Sequence, residues 1–259
     1  FGGALFNVIN LRLTQFRMRY IKKGYLKFAE ALLVAAVTST CSFMLSYYFH
    51  DCGRVSTNTH EFYCPPGTYN DMANIFFTTQ EDAIRSLFHN EDAYSKTTLL
   101  VFFAFYFFLA TWTYGVSVPS GLFVPTILVG ASMGRLMGNI LKEYLPETWD
   151  IEAGTFALIG AAAMLGGVVR MTISLCVILL ESTNDITYGL PIMVTLMVAK
   201  WVGDYFNEGL YDIHIELKHI PLLEWEPEYF TRKYRAQDIM ATPVVCFKES
   251  VKVKNVIQV

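Results

Sequence analysis

Gly121-Leu122-Phe123-Val124-Pro125 reads as the start of a helix set inside a strongly apolar region. Gly121 permits a tight backbone approach, and Pro125 suits a first helical turn, where its missing N–H costs nothing. Thr126 to Leu141 behind it is apolar and helix-compatible, and Gly115-Val116-Ser117-Val118-Pro119-Ser120 ahead of it is a turn-rich break. A helix beginning at membrane depth leaves its first N–H groups without intrahelical partners. With the positive end of the helix dipole, those donors form an anion site that needs no basic side chain. The same residues suit a re-entrant loop or a Pro-kinked membrane helix equally well, since Gly and Pro are common in both.

Working outward, composition places these residues in a membrane. Hydrophobic residues make up 53% of the chain, aromatics 15% and charged residues 17%, the last well below the roughly 25% usual in soluble domains. Charge gathers in Arg12–Lys27, in Asp51–Lys96 and after Asp204. The net charge of -3 does not point to nucleic acid. Arg17, Arg19, Lys22, Lys23 and Lys27 read as a basic loop, which the positive-inside rule assigns to the cytoplasm. Phe28 to Phe49 is long enough to span, carrying the chain to the opposite side.

The polar segment 51–96 that follows holds Cys52 and Cys64, plausible disulfide partners outside the cytoplasm. It lacks an Asn-x-Ser/Thr sequon, and Met72, Ile75, Phe76, Ala83, Ile84, Leu87 and Phe88 suggest short amphipathic helices at the interface. Cys41 and Cys176 fall in apolar runs and read as small buried residues; Cys246 falls in the polar tail.

Leu99 to Trp112 is almost wholly apolar. Gly130, Gly134 and Gly138 recur every four residues, presenting a face that another helix can approach closely. Gly154–Val169, Thr172–Leu180 and Tyr188–Val202 complete the apolar runs. Several are too short or interrupted for simple spanning helices, which points to broken, tilted helices around an internal site. Arg135, Arg170, Glu181, Lys200 and Asp204 lie within or beside these runs. They read as snorkelling, paired or helix-end groups more readily than as functional charges. His50, His60, His89, His214 and His219 have no metal-ligand spacing, and no nucleophile–base pair stands out, so neither a metal site nor an enzyme is expected. From about Lys218 the chain turns polar: 218–235 reads as a linker. Residues 236–259 read as the beginning of an α/β domain, with a strand at Pro243–Phe247.

These residues resemble the CLC family of chloride channels and chloride/proton exchangers. Ser120-Gly121-Leu122-Phe123-Val124-Pro125 resembles its GxFxP anion-binding motif, and Gly209-Leu210-Tyr211 its final membrane segment, whose tyrosine hydroxyl faces the central chloride. Gly154–Ala163, Gly167–Leu175 and Tyr188–Met193 are most similar to the late-endosomal and lysosomal exchanger branch. Asp238-Ile239-Met240 resembles the start of the first cytoplasmic CBS domain.

The resemblance implies an all-α polytopic membrane protein over 1–217, followed by the start of a CBS domain. It implies chloride held by Gly121, the N–H groups of Leu122 and Phe123, and the Tyr211 hydroxyl, with Ser120, Val124 and Pro125 supporting the turn. Chloride/proton antiport in a late-endosomal or lysosomal membrane is the expected activity. A voltage-gated chloride channel of the same fold is the alternative, and a non-transporting adaptor the alternative of another class. The partners implied are chloride, protons, the lipid bilayer and a second copy of the chain. The dimer would pair through Phe1–Leu13, Thr172–Leu180 and Leu190–Val202. No cofactor is implied for this stretch, with ATP a candidate ligand of a complete CBS pair. The family's GSGIP segment, gating glutamate and internal proton-transfer glutamate would precede Phe1, so the chain is expected to be the second half of the membrane domain.

Overall fold

The computed structural model describes residues 1–49, 51–54, 63–65, 68–89, 94–145, 152–183, 185–220 and 234–240. The expected CBS strand at 243–247, Cys246, His50, His60 and most of the linker lie outside these residues. The chain divides into two compact units, Phe1–Glu216 and Leu217–Val259.

Uninterrupted apolar sequence gives long helices. Lys96–Thr113 contains neither Gly nor Pro and forms a single helix (α5). Before it come α1 (Gly2–Tyr20), α2 (Gly24–Tyr48), a β-ribbon of β1 (Cys52–Arg54) and β2 (Thr68–Asn70), α3 (Asp71–Phe77) and α4 (Gln80–His89). After it come α6 (Phe123–Tyr144), α7 (Ala153–Val169), α8 (Ile173–Thr183), a 3₁₀ turn at Ile186–Tyr188, α9 (Gly189–Phe206), α10 (Leu210–Leu217) and the short α11 (Ala236–Ile239). Gly24–Tyr48, Lys96–Thr113, Phe123–Tyr144 and Ile186–Leu217 are long and apolar enough to cross a membrane, whereas α7 and α8 are shorter apolar helices. This is the all-α membrane architecture expected, apart from the ribbon. β1 and β2 pair antiparallel with Cys52 opposite Asn70, and strands of three residues carry no legible sequence period.

The core centres on α6 and α7, and glycine makes their approach close. A Cβ on Gly134 would lie 2.1 Å from the Phe156 carbonyl oxygen, and one on Gly130 2.5 Å from that of Gly160. The four-residue repeat is thus a backbone-to-backbone seam. Because lipid is as apolar as leucine, this fit rather than hydrophobicity holds the helices together.

Helix C-termini leave carbonyls without donors, and here polar side chains close them. Asn70 donates to Ser46 and Phe49 at the end of α2 while its oxygen accepts the N–H groups of Met72 and Ala73, capping α3. Arg135, fully buried in α6, donates to the Leu87 carbonyl at 2.5 Å, near the end of α4. Arg135 therefore does not snorkel; it meets helix-end carbonyls. Arg17 also departs from the basic-loop reading. It is buried on α1, bonded to the Trp112 and Tyr114 carbonyls at 2.5 and 2.8 Å and paired with Glu30 of α2. The polar loop is tied as its sequence suggests: Cys52 and Cys64 form a disulfide. Cys176 is buried and Cys41 half-buried.

Candidate anion site

α5 ends because Gly115 takes a left-handed φ of +88°. Eight residues later the chain re-enters a helix at Phe123, with Leu122 as its N-cap and no side chain capping it. The first backbone bond of the new helix runs from the Thr126 N–H to the Leu122 carbonyl, reinforced by the Thr126 hydroxyl at 2.9 Å. Pro125 has no N–H. The N–H groups of Leu122, Phe123 and Val124 therefore remain as donors with no acceptor among the described residues. Leu122 is buried, Phe123, Val124 and Pro125 are half-buried, and Ser120 and Gly121 are exposed. No acidic residue lies in the first turn to compete for these donors. The tight approach expected at Gly121 is absent: a Cβ there would meet nothing within 4 Å, and its φ is not left-handed.

Tyr211 is the second residue of α10. Its side chain is 42% exposed, and its hydroxyl has no hydrogen-bond partner among the described residues. It lines a cleft of about 390 Å³ with Arg170, Lys200, Asp204, Asn207 and Asp212. No hydrogen bond joins Tyr211 to Leu122 or Phe123 among the described residues. The loop and the helix are linked one step removed, through Tyr114 at the end of α5, whose ring lies edge-on to His214 of α10 at 5.5 Å between centroids.

The break between α9 and α10 is fixed by Arg170. This residue ends α7 in a left-handed conformation, φ 62°. Its guanidinium donates to the Gly203 carbonyl at 2.9 Å and to Asp204 at 3.0 Å, and also bonds the Asn207 carbonyl and side-chain oxygen. Asn207 in turn donates to the Ala4 carbonyl of α1 at 2.8 Å. Arg170 thus has the partner charge expected for it, and the backbone just ahead of Tyr211 is held in place. Lys200 makes no ion pair among the described residues.

One face of α1 supplies the remaining support, and the site residues quoted from sequence do not include it. Asn7, Asn10, Thr14 and Arg17 follow a 3-4-3 spacing and are all buried. Asn7 donates to the carbonyls of Val168 at 3.1 Å and Glu208 at 3.2 Å. That spacing of polar residues along an apolar helix is the signal that marks them.

Three comparisons bear on these features. The sequence profile of the voltage gated chloride channel family matches residues 1–204. The mouse (Mus musculus) H(+)/Cl(-) exchange transporter 7 is 47% identical over 262 residues, covering 99% of this chain and 33% of its own length. Chloride channel protein CLC-d of Arabidopsis thaliana is 42% identical over 257 residues, covering 91% of this chain and 32% of its own length. The crystal structure of a eukaryotic CLC transporter superposes with a TM-score of 0.62 at 26% identity, over 86% of this chain and 34% of that one. The chain therefore spans about a third of the length of these relatives.

Proposed function

Because the chain belongs to the CLC family of voltage-gated chloride channels, we propose that it provides the anion-binding half of a chloride/proton antiporter in an endosomal or lysosomal membrane. The observation that carries this reading is the start of α6. Three backbone donors, with no acceptor among the described residues and no acidic residue in their turn, stand at a helix N-terminus inside an apolar protein. Chloride bound there gains the helix dipole and N–H bonds, and neutral donors hold it weakly enough to release it. Tyr211 adds a hydroxyl donor that has no other partner among the described residues. Gly121 and Ser120 keep the approach to these donors unobstructed, and Val124 and Pro125 form the first turn. The activity is vectorial transport, with chloride and protons as the species moved and no covalent chemistry.

Exchange is favoured by the name of the mouse relative, and passive conduction by that of the Arabidopsis one, so both fluxes must be measured. In the full-length protein reconstituted in liposomes, Tyr211→Phe is expected to raise the half-saturating chloride concentration roughly tenfold, the loss of one hydrogen bond to a charged partner. An unchanged chloride dependence removes Tyr211 from the site. Chloride flux without coupled proton movement in the unaltered protein replaces the antiporter with the channel.

A further inference from the structure

The four carbonyls from Thr111 to Tyr114, at the end of α5 and just beyond it, can be accounted for one by one. Thr113 receives the Val116 N–H, and Trp112 receives Arg17. Thr111 and Tyr114 receive the two hydrogens of a single amide: Asn10 Nδ2 donates to them at 3.1 and 3.0 Å, and the Tyr114 carbonyl also accepts from Arg17 at 2.8 Å. Asn10 is fully buried. Committing both hydrogens to carbonyls fixes which way its amide faces, so its oxygen can only accept. That oxygen lies 3.1 Å from Nε2 of His214 and 3.5 Å from the Thr14 hydroxyl. His214 must therefore carry a proton on Nε2. His214 stands three residues after Tyr211 on α10, on the same side of the helix.

From this geometry we infer that Asn10 is a positioning residue for the chloride site, setting the spacing between the loop that presents Leu122 and Phe123 and the helix that presents Tyr211. The inference rests on the chloride-site reading above. One edge of the Asn10 amide grips the end of α5, from which the 115–122 loop departs. The other edge grips α10 through His214. Among the described residues the two parts of the site have no direct bond between them, so their separation depends on what both are attached to. A buried amide with every donor used holds that attachment in one geometry.

The test uses the full-length protein in liposomes, with flux measured across a range of chloride concentrations. Asn10→Ala is expected to raise half-saturating chloride roughly tenfold while saturating flux falls much less. Asn10→Asp is expected to do the same, because it places an oxygen against each carbonyl. His214→Leu, which removes the bond to Asn10 together with the ring contact to Tyr114, is expected to raise half-saturating chloride too. His214→Gln, which keeps an N–H facing the Asn10 oxygen, is expected to remain within about twofold of the unaltered protein. A residue that only capped α5 would lower thermal stability and saturating flux with half-saturating chloride unchanged. That result for Asn10→Ala, alongside a raised value for Tyr211→Phe, overturns the inference and leaves the site standing. If Tyr211→Phe also leaves chloride dependence unchanged, the site reading falls first. Should Asn10→Ala fail to fold, His214→Leu against His214→Gln decides: equal chloride dependence in the two overturns the inference.

Discussion

Asp71 sits where a carboxylate is costly. It is buried at the start of α3, one oxygen accepts the Ser95 N–H at 2.9 Å, and the other has no partner among the described residues. Burial raises its pKa from 3.8 to about 6; the Ser95 bond works the other way, and the nearby Asp51 carboxylate adds to the rise. An acid whose folded pKa is raised favours the protonated fold. Its contribution to stability is therefore complete below the ordinary carboxylate value and is lost as pH rises through about 6. Asp51, itself bonded to Thr98 at 2.9 Å, and the Tyr69 and Tyr94 rings with Arg135 behind them are the other groups surrounding it. The melting temperature of the full-length protein is expected to gain from acidification between pH 7 and 5, and Asp71→Asn is expected to flatten that gain. Equal pH profiles for the two proteins would refute the assignment. At this scale the sequence was partly legible. The anion-loop residues carry a motif, whereas Asp71 is an ordinary acid until its surroundings are known. Gly121 shows the converse: the motif names it, yet its surroundings are open, so Gly121→Ala is expected to leave folding unchanged, as thermal unfolding will show.

At the scale of elements, the α6–α7 seam and the disulfide-bound ribbon make the sharpest demands. A methyl on Gly134 forces two backbones apart, so Gly134→Ala is expected to destabilise by about 1–3 kcal/mol. Gly24→Ala, where the added atom meets nothing within 4 Å, is expected to be neutral or slightly stabilising. Denaturation of the two variants side by side separates packing from helix propensity. Cys52 and Cys64 are 12 positions apart, and loss of their link is expected to cost the ribbon about 2–3 kcal/mol. Limited proteolysis of Cys52→Ser with and without reductant measures it: cleavage independent of reductant in the unaltered protein would contradict a structural role. The helices and the glycine seam were legible because apolar length and four-residue spacing are local properties. The ribbon and the burial of Arg17 were not, because three-residue strands carry no period and a basic residue looks the same capping a helix as facing water.

At the scale of the molecule, α8 and α9 present apolar side chains that stand exposed among the described residues. Ile173, Leu190 and Trp201 are 73%, 77% and 64% exposed. The homodimer that the family resemblance implies would bury this face. Ile192, near the start of the segment expected to pair, is fully buried and cannot contribute; Ile178 and Val194 are exposed. Ile178→Trp with Val194→Trp is expected to loosen the dimer while each subunit keeps its flux, read by single-molecule subunit counting in bilayers beside a transport assay. A double variant that stays paired at high dilution would place the interface elsewhere.

The polar face of α1 also bears on how the protein is made. The carbonyls that Asn10 and Arg17 close lie 95 to 104 positions downstream of their donors, and those that Asn7 closes lie further still. A chain emerging from the ribosome delivers its earlier residues first. When the end of α5 enters the bilayer, the groups that satisfy it are already there. The break after α5, hazardous in lipid because it bares carbonyls, is thus synthesised after its own remedy, unlike the ends of α2 and α4, which wait for Asn70 and Arg135 downstream.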